Sequence, residues 1–338
     1  MGIDIGTHSI KIVELSGNKE KIQLENYGEI FLADFCSHIS EKGSKGVFLY
    51  SNEDIAGAIK ALISEAGIKS KKAYFSIPDF VTFFTLFDLP PVKDDEMNSA
   101  VEFHSRQHIP LPIEEVVLDW SIVEREESKI KINLIAIPKE IVNQYQEIAQ
   151  MSDLDIISLE GEMFSLARAL TYGDGKTAAI IDIGEQSTML AIARNGILKT
   201  THSIEVAGNM LVKQVAKAKE IEYNDARRMV MEHGLAEESV RAPVSFLANS
   251  LFSSISQAIN VFERKEKTSI EEVIVGGGFS LLPGVVEVAE NAIDKNVVVK
   301  NCFENMIYPE SLNNTLMRLS SSHSIATGVA LIGILKEE

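Results

Sequence analysis

The chain has 338 residues, of which 45% are hydrophobic and 24% are charged, a composition typical of a globular protein with a full core. With 32 Lys and Arg against 49 Asp and Glu, the net charge of −17 disfavours nucleic acid and anionic lipid as main partners. No basic stretch followed by an apolar one opens the chain, and no apolar run reaches the roughly 20 residues that cross a bilayer. The two cysteines form no redox or zinc motif, so we expect reduced thiols in a cytoplasmic protein.

The first pattern in the chain is an internal repeat. The tetrapeptide Ile-Asp-Ile-Gly at residues 3–6 returns at residues 181–184. In both copies a short polar turn follows, then a second apolar run, then a second turn that contains Asn and Gly, and the spacing between these features is the same. Two strands joined by a tight turn and continued into a second hairpin predict a β-meander. The repeat therefore predicts two halves of like construction.

Between the two copies, a helix is predicted over residues 52–65, capped by Ser51 or Asn52 and stopped by Gly67. A distinct α/β module follows and interrupts the first half. Its predicted elements are a strand at 81–87, a helix at 93–108, two strands on either side of the turn at 127–129, and a helix at 138–151. We predict a first lobe of residues 1–72 and 156–178, an inserted domain of 73–155, and a second lobe of 179–338.

The second half is rich in helical patterns. Helices are predicted at 209–219, 223–233 and 243–265, and a strand at 272–275 runs into a glycine triplet. The helix at 243–265 carries an apolar stripe that predicts a core face: Phe246, Leu247, Leu251, Ile255, Ile259 and Phe262. The apolar run at 325–335 is predicted to be buried, because it is apolar on all sides rather than amphipathic.

The repeated turn has a chemical reading. Asp4 and Asp182 each end an apolar strand, where a carboxylate can hold a hydrated Mg²⁺ through its water shell. The glycine that follows lets turn amides approach phosphate oxygens, and nearby hydroxyls add donors. The alternative is that each Asp-x-Gly only makes a turn, since both residues favour turns. Two copies in register favour the phosphate interpretation.

The glycine triplet is the third candidate. In Gly276-Gly277-Gly278-Phe279-Ser280, we predict Ser280 as a helix N-cap, with Pro283 in the first turn. Such a loop can lie against a nucleotide base and sugar, or it can be a tight crossover from strand to helix. It matches neither a Walker loop nor the dinucleotide-binding fingerprint.

These motifs, in this order, resemble the phosphate-1, phosphate-2 and adenosine motifs of the actin-like ATPase superfamily. The opening residues 2–15 resemble the PilM family of type IV pilus assembly proteins. The segment Phe75-Ser76-Ile77-Pro78 and the pair Leu89-Pro90 are similar to the small domain of PilM and of the division protein FtsA. The resemblance implies an α/β, actin-like (ribonuclease H-like) fold with duplicated lobes around a nucleotide cleft and a small α/β insertion in the first lobe.

The resemblance also implies ATP and Mg²⁺ as cofactors, with Asp4 and Asp182 holding the metal through water. The residues implied to contact the nucleotide are Gly6, Thr7, His8, Ser9, Lys11, Gly184, Gln186, Ser187, Gly208, Arg227, Gly276, Gly277, Gly278 and Phe279. Lys11 is either a phosphate ligand or a solvent-facing strand residue. For Glu160 and Glu162 two interpretations stay open. Either residue could act as the base that activates the attacking water or as an indirect ligand of the metal, or both are ordinary acids at the start of a helix predicted at 159–170. Arg227 and Val230 stand where many relatives have Glu and Lys, so the adenosine contacts differ.

Three classes of function stay open at this point. The first is a cytoplasmic ATP-binding scaffold for type IV pilus or related type II secretion assembly, which binds the N-terminal peptide of a PilN-like inner-membrane protein while nucleotide controls lobe closure. The second is an enzyme, either an FtsA-like ATPase of cell division or a small-molecule kinase of the same superfamily. The third is a self-associating filament protein. We expect at most weak ATP hydrolysis.

Overall fold

Strands organise the chain into separate sheets in the computed structural model, which describes residues 1–36 and 47–335. The strands of the described residues are β1 (Gly2–Ile5), β2 (Ser9–Asn18), β3 (Lys21–Phe31), β4 (Lys72–Ile77), β5 (Phe83–Leu89), β6 (Val116–Arg125), β7 (Ile130–Pro138), β8 (Asp155–Gly161), β9 (Thr177–Ile183), β10 (Thr188–Arg194), β11 (Ile197–Ile204), β12 (Glu272–Gly276) and β13 (Val297–Val298). Two sheets have five strands, in the orders β3-β2-β1-β4-β8 and β11-β10-β9-β12-β13, and a third has three, in the order β5-β7-β6.

Ten α-helices lie in the described residues, and the helices predicted at 52–65, 138–151, 209–219 and 223–233 match their bounds to within one residue. The ten helices are α1 (Leu32–Phe35), α2 (Asn52–Glu65), α3 (Met97–Ser105), α4 (Lys139–Met151), α5 (Glu162–Thr171), α6 (Gly208–Lys219), α7 (Tyr223–His233), α8 (Glu238–Glu266), α9 (Val285–Ile293) and α10 (Asn313–Leu335). The predicted cap of α2 is confirmed, because the Ser51 hydroxyl accepts a hydrogen bond from the Asp54 amide at 3.1 Å. Helix α8 begins before the predicted start, so Pro243 lies inside its first turns.

The predicted duplication is confirmed by the two five-stranded sheets. Each begins with three strands that are consecutive in sequence and in the sheet, and each then adds two later strands on the other side of the first one. In the second copy β9, β10 and β11 form an antiparallel meander, while β12 joins β9 in parallel and β13 joins β12 in parallel. In the first copy β4 and β8 are likewise parallel. The α/β fold with duplicated actin-like halves is therefore the observed one.

The inserted module has a sheet and a core of its own. Strands β5 and β6 each pair antiparallel with β7, and the three strands lie between β4 and β8 in the sequence. The predicted helix over 93–108 is split into a 3-10 turn, Asp94–Glu96, followed by α3. Side chains of α3 and β7 share one apolar cluster, which includes Met97, Val101 and Ile132. This cluster packs α3 against the three-stranded sheet of the inserted module.

The described chain divides into two compact units. Unit 1 consists of Met1–Ile3, Lys11–Tyr27 and Met163–Glu338, and unit 2 consists of Asp4–Ile10 and Gly28–Glu162. The three-part division made from the sequence stays a prediction.

Helices α8 and α10 contribute buried apolar side chains to the core of unit 1. Most of the predicted stripe of α8 packs in the core, with Leu251, Ile255 and Ile259 at 2% exposure or less. Phe246 is the exception: the prediction was wrong there, since its side chain is 80% exposed and lies on the opposite face of α8 from the buried Val244 and Ala248. The apolar run at the end of α10 is buried, as predicted. No helix within residues 1–36 and 47–335 combines the length and apolar character that a bilayer crossing requires.

Candidate functional site

In unit 1 the repeated motif forms the β9–β10 hairpin. Asp182 lies one residue before the end of β9 and is half-buried. The Gly184 amide donates a hydrogen bond to the Ser187 carbonyl at 3.0 Å, which closes a loop of two residues, Glu185 and Gln186. A Cβ on Gly184 would lie 2.9 Å from that same carbonyl, so only glycine fits this turn without a shift. The hairpin thus presents Asp182 beside a tight, glycine-dependent turn.

The N-terminus of α6 is tied to this hairpin. The Gly208 amide donates to the Gly184 carbonyl, and the Asn209 amide donates to the Glu185 carbonyl, both at 2.9 Å. The first amides of a helix have no partner inside the helix, so external acceptors stabilise the helix end. Here the hairpin carbonyls fill that role. The contact fixes the hairpin loop relative to α6, and it also occupies two amides that point in the direction of the turn.

The glycine triplet lies against the same aspartate. Strand β12 pairs with β9 so that Gly276 is opposite Asp182. Gly277 has a φ of +83°, and a Cβ there would lie 2.3 Å from the Asp182 Oδ1 atom. The Phe279 amide donates to the Ile183 carbonyl at 3.1 Å. The glycine loop is therefore built directly onto the end of β9, which explains why a residue without a side chain is required at 277.

The next residues of the loop turn in opposite directions. Gly278 is exposed, and a Cβ there would meet no atom of the described residues within 4 Å apart from its chain neighbours. The Phe279 ring is 2% exposed and covers Gly208 so closely that a Cβ on Gly208 would lie 2.3 Å from the ring. Phe279 thus packs between the loop and α6, while Gly278 leaves bare backbone at the surface. Contact of either residue with a nucleotide stays a prediction.

The predicted helix start after this loop was wrong. Ser280 does not cap a helix: its hydroxyl donates back to the Gly277 carbonyl at 2.8 Å. Helix α9 begins at Val285, after Gly284 with a φ of +81°. The carbonyl of Pro283 accepts a hydrogen bond from the Ala236 amide at 2.9 Å. The left-handed φ of Gly284, which packs against Ala236, interrupts any helix that would run on from Ser280.

Helix α7 reaches the hairpin loop through two side chains one turn apart. The Tyr223 hydroxyl donates to Glu185 Oε1 at 2.6 Å, and Arg227 Nε lies 3.9 Å from Glu185 Oε2. Burial, followed by the hydrogen bond to Glu185, raises the pKa of Tyr223 to about 12. Val230, which takes one of the two positions where adenosine contacts were predicted to differ, is 1% exposed in the core. The sequence reasoning missed Glu185 and Tyr223, although the i, i+4 spacing of Tyr223 and Arg227 was a signal for a shared target.

In unit 2 the first copy of the motif forms the same turn. The Gly6 amide donates to the Ser9 carbonyl at 3.0 Å, the same bond at the same distance as in the other copy. Asp4 is 3% exposed and accepts a hydrogen bond from the Ser76 hydroxyl at 2.7 Å. The buried Ser9 hydroxyl donates to Glu29 Oε1 at 2.6 Å, so its predicted contact with phosphate would require that bond to break.

The remaining turn residues in this region differ in exposure. Thr7 is half-buried and His8 is exposed, and the His8 carbonyl accepts a hydrogen bond from the Leu32 amide at 2.9 Å. Lys11, half-buried on β2, falls in the part of the chain assigned to unit 1. A phosphate contact by these side chains stays a prediction.

Two acidic residues lie near the Asp4 strand. The sequence suggested that Glu160 lies at the start of a helix, but the structure places it on β8, where it pairs in register with Ser76 on β4. Glu162 is the first residue of α5 and accepts a hydrogen bond from the Asp79 amide at 3.4 Å. Burial, and then the carboxylates of Glu162 and Asp4, raise the pKa of the fully buried Tyr145. Strands β1, β4 and β8 therefore bring the predicted acids of unit 2 into one neighbourhood.

The donor set fits a hydrated cation better than a closed metal centre. Within residues 1–36 and 47–335, no three His, Cys, Asp or Glu side chains gather as a metal-binding group. Mg²⁺ commonly keeps several waters and binds through one or two carboxylates together with substrate phosphates. Asp182, with the glycine backbone beside it, matches that requirement in unit 1.

Comparisons with known proteins agree with this architecture. A family model described as "Type IV pilus assembly protein PilM" matches residues 2–334. The cell division protein FtsA of Staphylococcus epidermidis is 20% identical in an alignment that covers 95% of this chain and 78% of FtsA. FtsA of Bacillus subtilis is 20% identical in an alignment that covers 88% of this chain and 78% of FtsA.

Two solved structures show the same fold. One is described as a PilM-PilN type IV pilus biogenesis complex, with a TM-score of 0.82, 20% identity, and coverage of 98% of this chain and 98% of that one. The other is the ethanolamine utilization protein EutJ from Carboxydothermus hydrogenoformans, with a TM-score of 0.56, 14% identity, and coverage of 98% of this chain and 88% of that one. At these identities the structural likeness establishes the fold alone.

Proposed function

The chain belongs to the PilM family of type IV pilus assembly proteins, and we propose that it is a nucleotide-binding scaffold of pilus assembly. The observation that carries the nucleotide part is the convergence in unit 1 of three separate segments. The hairpin loop after Asp182, the glycine loop at Gly277 and the N-terminus of α6 at Gly208 are joined by direct contacts. A carboxylate beside bare backbone at such a junction suits a phosphate group with its metal ion.

In this proposal, Asp182 would hold Mg²⁺ through water, and backbone amides of the hairpin and glycine loops would bind the nucleotide phosphates. The metal, when bound, offsets the negative charge of the phosphates. The half-buried position of Asp182 leaves its carboxylate within reach of solvent ions. Gly278 offers exposed backbone, since a Cβ at that position has open space around it among the described residues.

Thermal stability with Mg-ATP, with Mg-ADP and without nucleotide tests the binding. A ligand that binds only the folded protein stabilises it by about 2.7 kcal/mol at a concentration 100 times its Kd. We expect the melting temperature of the natural sequence to rise with Mg-ATP and the rise to shrink when EDTA removes the metal. Asp182→Asn should lose the rise, whereas Asp88→Asn, at a surface ion pair with Lys129, should keep it. No rise for the natural sequence would refute the nucleotide proposal.

The prediction that Asp4 serves the same nucleotide is tested by the matching variant. Asp4→Asn retains an acceptor for the Ser76 hydroxyl, so the fold should survive. If both aspartates act on one ligand, each single variant should weaken Mg-ATP binding by a similar factor. Normal binding by Asp4→Asn would confine the site to the Asp182 side.

The partner part of the proposal follows from the family. The solved relative is described as PilM with PilN, and we propose that this chain binds the cytoplasmic N-terminal peptide of a PilN-like inner-membrane protein. Such a partner would place the protein at the cytoplasmic face of the inner membrane. Fluorescence anisotropy of the labelled peptide, with a scrambled peptide as control, measures binding with and without Mg-ATP. Equal affinities for the two peptides would refute the partner assignment.

Turnover separates a scaffold from an enzyme. Steady ATP hydrolysis above about 1 s⁻¹, the low end of kinase rates, would favour an enzyme. We expect a far slower rate. If Glu160 or Glu162 orients the attacking water, then Glu160→Gln or Glu162→Gln should reduce even that rate without changing Mg-ATP affinity. Unchanged hydrolysis in both variants would remove these residues from the site.

A further inference from the structure

The carboxylate of Glu185 is held by helix α7 rather than directed to solvent. Glu185 stands in the two-residue loop of the β9–β10 hairpin, directly after Gly184, and its side chain is 14% exposed. Tyr223 donates a hydrogen bond to one carboxylate oxygen at 2.6 Å, and Arg227 lies beside the other. A negative charge is thus fixed in the loop where the proposed function requires a phosphate to approach.

Arg227 forms only a long ion pair with the Glu185 carboxylate. Its Nε atom is buried and makes no hydrogen bond within the described residues, and the nearest Glu185 oxygen is 3.9 Å away. An ordinary N–H···O hydrogen bond measures 2.7–3.2 Å, so the pair is an ion pair without a hydrogen bond at Nε. A guanidinium carries five donors in a planar fork and matches phosphate oxygens through two parallel bonds. Arg227 therefore keeps donor capacity beside the hairpin loop.

These contacts set up a competition between two anions for one cation. The Glu185 carboxylate, whose Oε2 atom lies 3.9 Å from Arg227 Nε, would repel an incoming phosphate. The positive charge of Arg227 attracts both anions. Tyr223 keeps hold of Glu185 whichever anion the arginine takes, because its bond is made to the other carboxylate oxygen. The ion pair between Glu185 and Arg227 can therefore break while the hydrogen bond from Tyr223 still joins the hairpin loop to α7.

We propose that Glu185 is a built-in competitor for the polyphosphate of a nucleoside di- or triphosphate: it occupies Arg227 while the site is empty, and the bound polyphosphate takes the arginine from it. The inference rests on the proposed nucleotide function and adds to it the residue pair that sets affinity. Arg227 acts as the phosphate-binding group, and Glu185 lowers affinity so that nucleotide is released readily.

The test measures affinity for Mg-ATP and for inorganic tripolyphosphate by titration calorimetry. Glu185→Gln keeps an acceptor for Tyr223 but removes the charge, and affinity for both ligands should rise by about tenfold, the effect of one charge-assisted contact. Arg227→Met should lower both affinities by a similar factor, with partial recovery in Arg227→Lys because lysine lacks the fork. Arg228→Ala is the matched control, since Arg228 is 66% exposed and pairs with Asp225 instead.

A double-mutant cycle distinguishes competition for the arginine from simple repulsion. If Glu185 acts by occupying Arg227, the gain from Glu185→Gln should largely vanish in the Arg227→Met background. A gain of the same size in both backgrounds would overturn the proposal. Weaker binding by Glu185→Gln, or no change in any variant, would overturn it too while leaving the nucleotide function intact. Absence of binding by the natural sequence would reject both, and melting curves without ligand confirm that each variant is folded.

Discussion

The glycine at position 277 offers the sharpest test of how the loop is built. Replacing it with alanine adds one methyl group where three atoms already crowd the backbone. The new Cβ would lie 2.3 Å from Asp182 Oδ1, 2.7 Å from the Ile183 carbonyl oxygen and 2.8 Å from the Ile183 amide nitrogen. Two of these atoms belong to the backbone of β9, which pairs with strands on both sides and cannot yield cheaply.

The expected cost has two parts. A left-handed conformation, here a φ of +83°, costs an alanine about 1–2 kcal/mol. Overpacking against a rigid neighbour typically costs about 1–3 kcal/mol more. The sum is about 2–5 kcal/mol, and since 1 kcal/mol shifts the melting temperature of a large domain by about 2–4 °C, a fall of roughly 5–15 °C is expected. Displacement of Asp182 should also abolish the stabilisation by Mg-ATP.

Gly278→Ala is the matched control one residue further on. A Cβ at Gly278 has open space among the described residues, and its φ is not positive, so the substitution should change the stability of the protein by less than about 0.5 kcal/mol. Thermal and urea unfolding of the two variants, measured side by side, give the comparison. If Gly277→Ala and Gly278→Ala melt at the same temperature, the close approach of the glycine loop to β9 is refuted.

Three further predictions concern the framework of unit 1. Gly328→Ala on α10 should prevent stable folding, because its Cβ would lie 1.8 Å from a backbone carbonyl of α5, and the yield of folded protein measures this. Lys300→Met should cost about 1.5–3 kcal/mol in urea unfolding, since it removes the charged donor at 2.6 Å from the buried Glu272 and leaves that carboxylate with Lys176 at 3.8 Å. Burial lowers the pKa of Lys300, but its bonded carboxylates raise it more, so the folded pKa lies above 10.5; its contribution should persist below pH 10.5 and fade as the pH rises further. On α8, Phe252→Ala should cost about 3–5 kcal/mol while Phe246→Ser leaves stability nearly unchanged, because their exposures are 1% and 80%; equal melting temperatures would contradict the assigned helix face.

The candidate site was only partly visible in the sequence. The repeated Asp-x-Gly turns and the glycine triplet were found because their spacing and residue types are local signals. The contacts of Tyr223 and Arg227 with Glu185 were not found, because they join a hairpin loop to a helix that begins 38 positions further along the chain. Ser280 was assigned a capping role that local preference favours, yet the left-handed φ of Gly284, which packs against Ala236, interrupts the helix. A contact between distant segments overrode the local tendency.

The sequence by itself determined the duplication, several of the helices and the identity of the glycine turns, because strand period, capping residues and turn residues act over a few neighbours. Only the tertiary structure decided that Gly277 lies on the Asp182 carboxylate, that Phe279 covers Gly208, and that Phe246 faces solvent. Those outcomes depend on which strands and helices pack together. Burial is a property of the assembled elements, and hydrophobic periodicity specifies a face without specifying what will cover it.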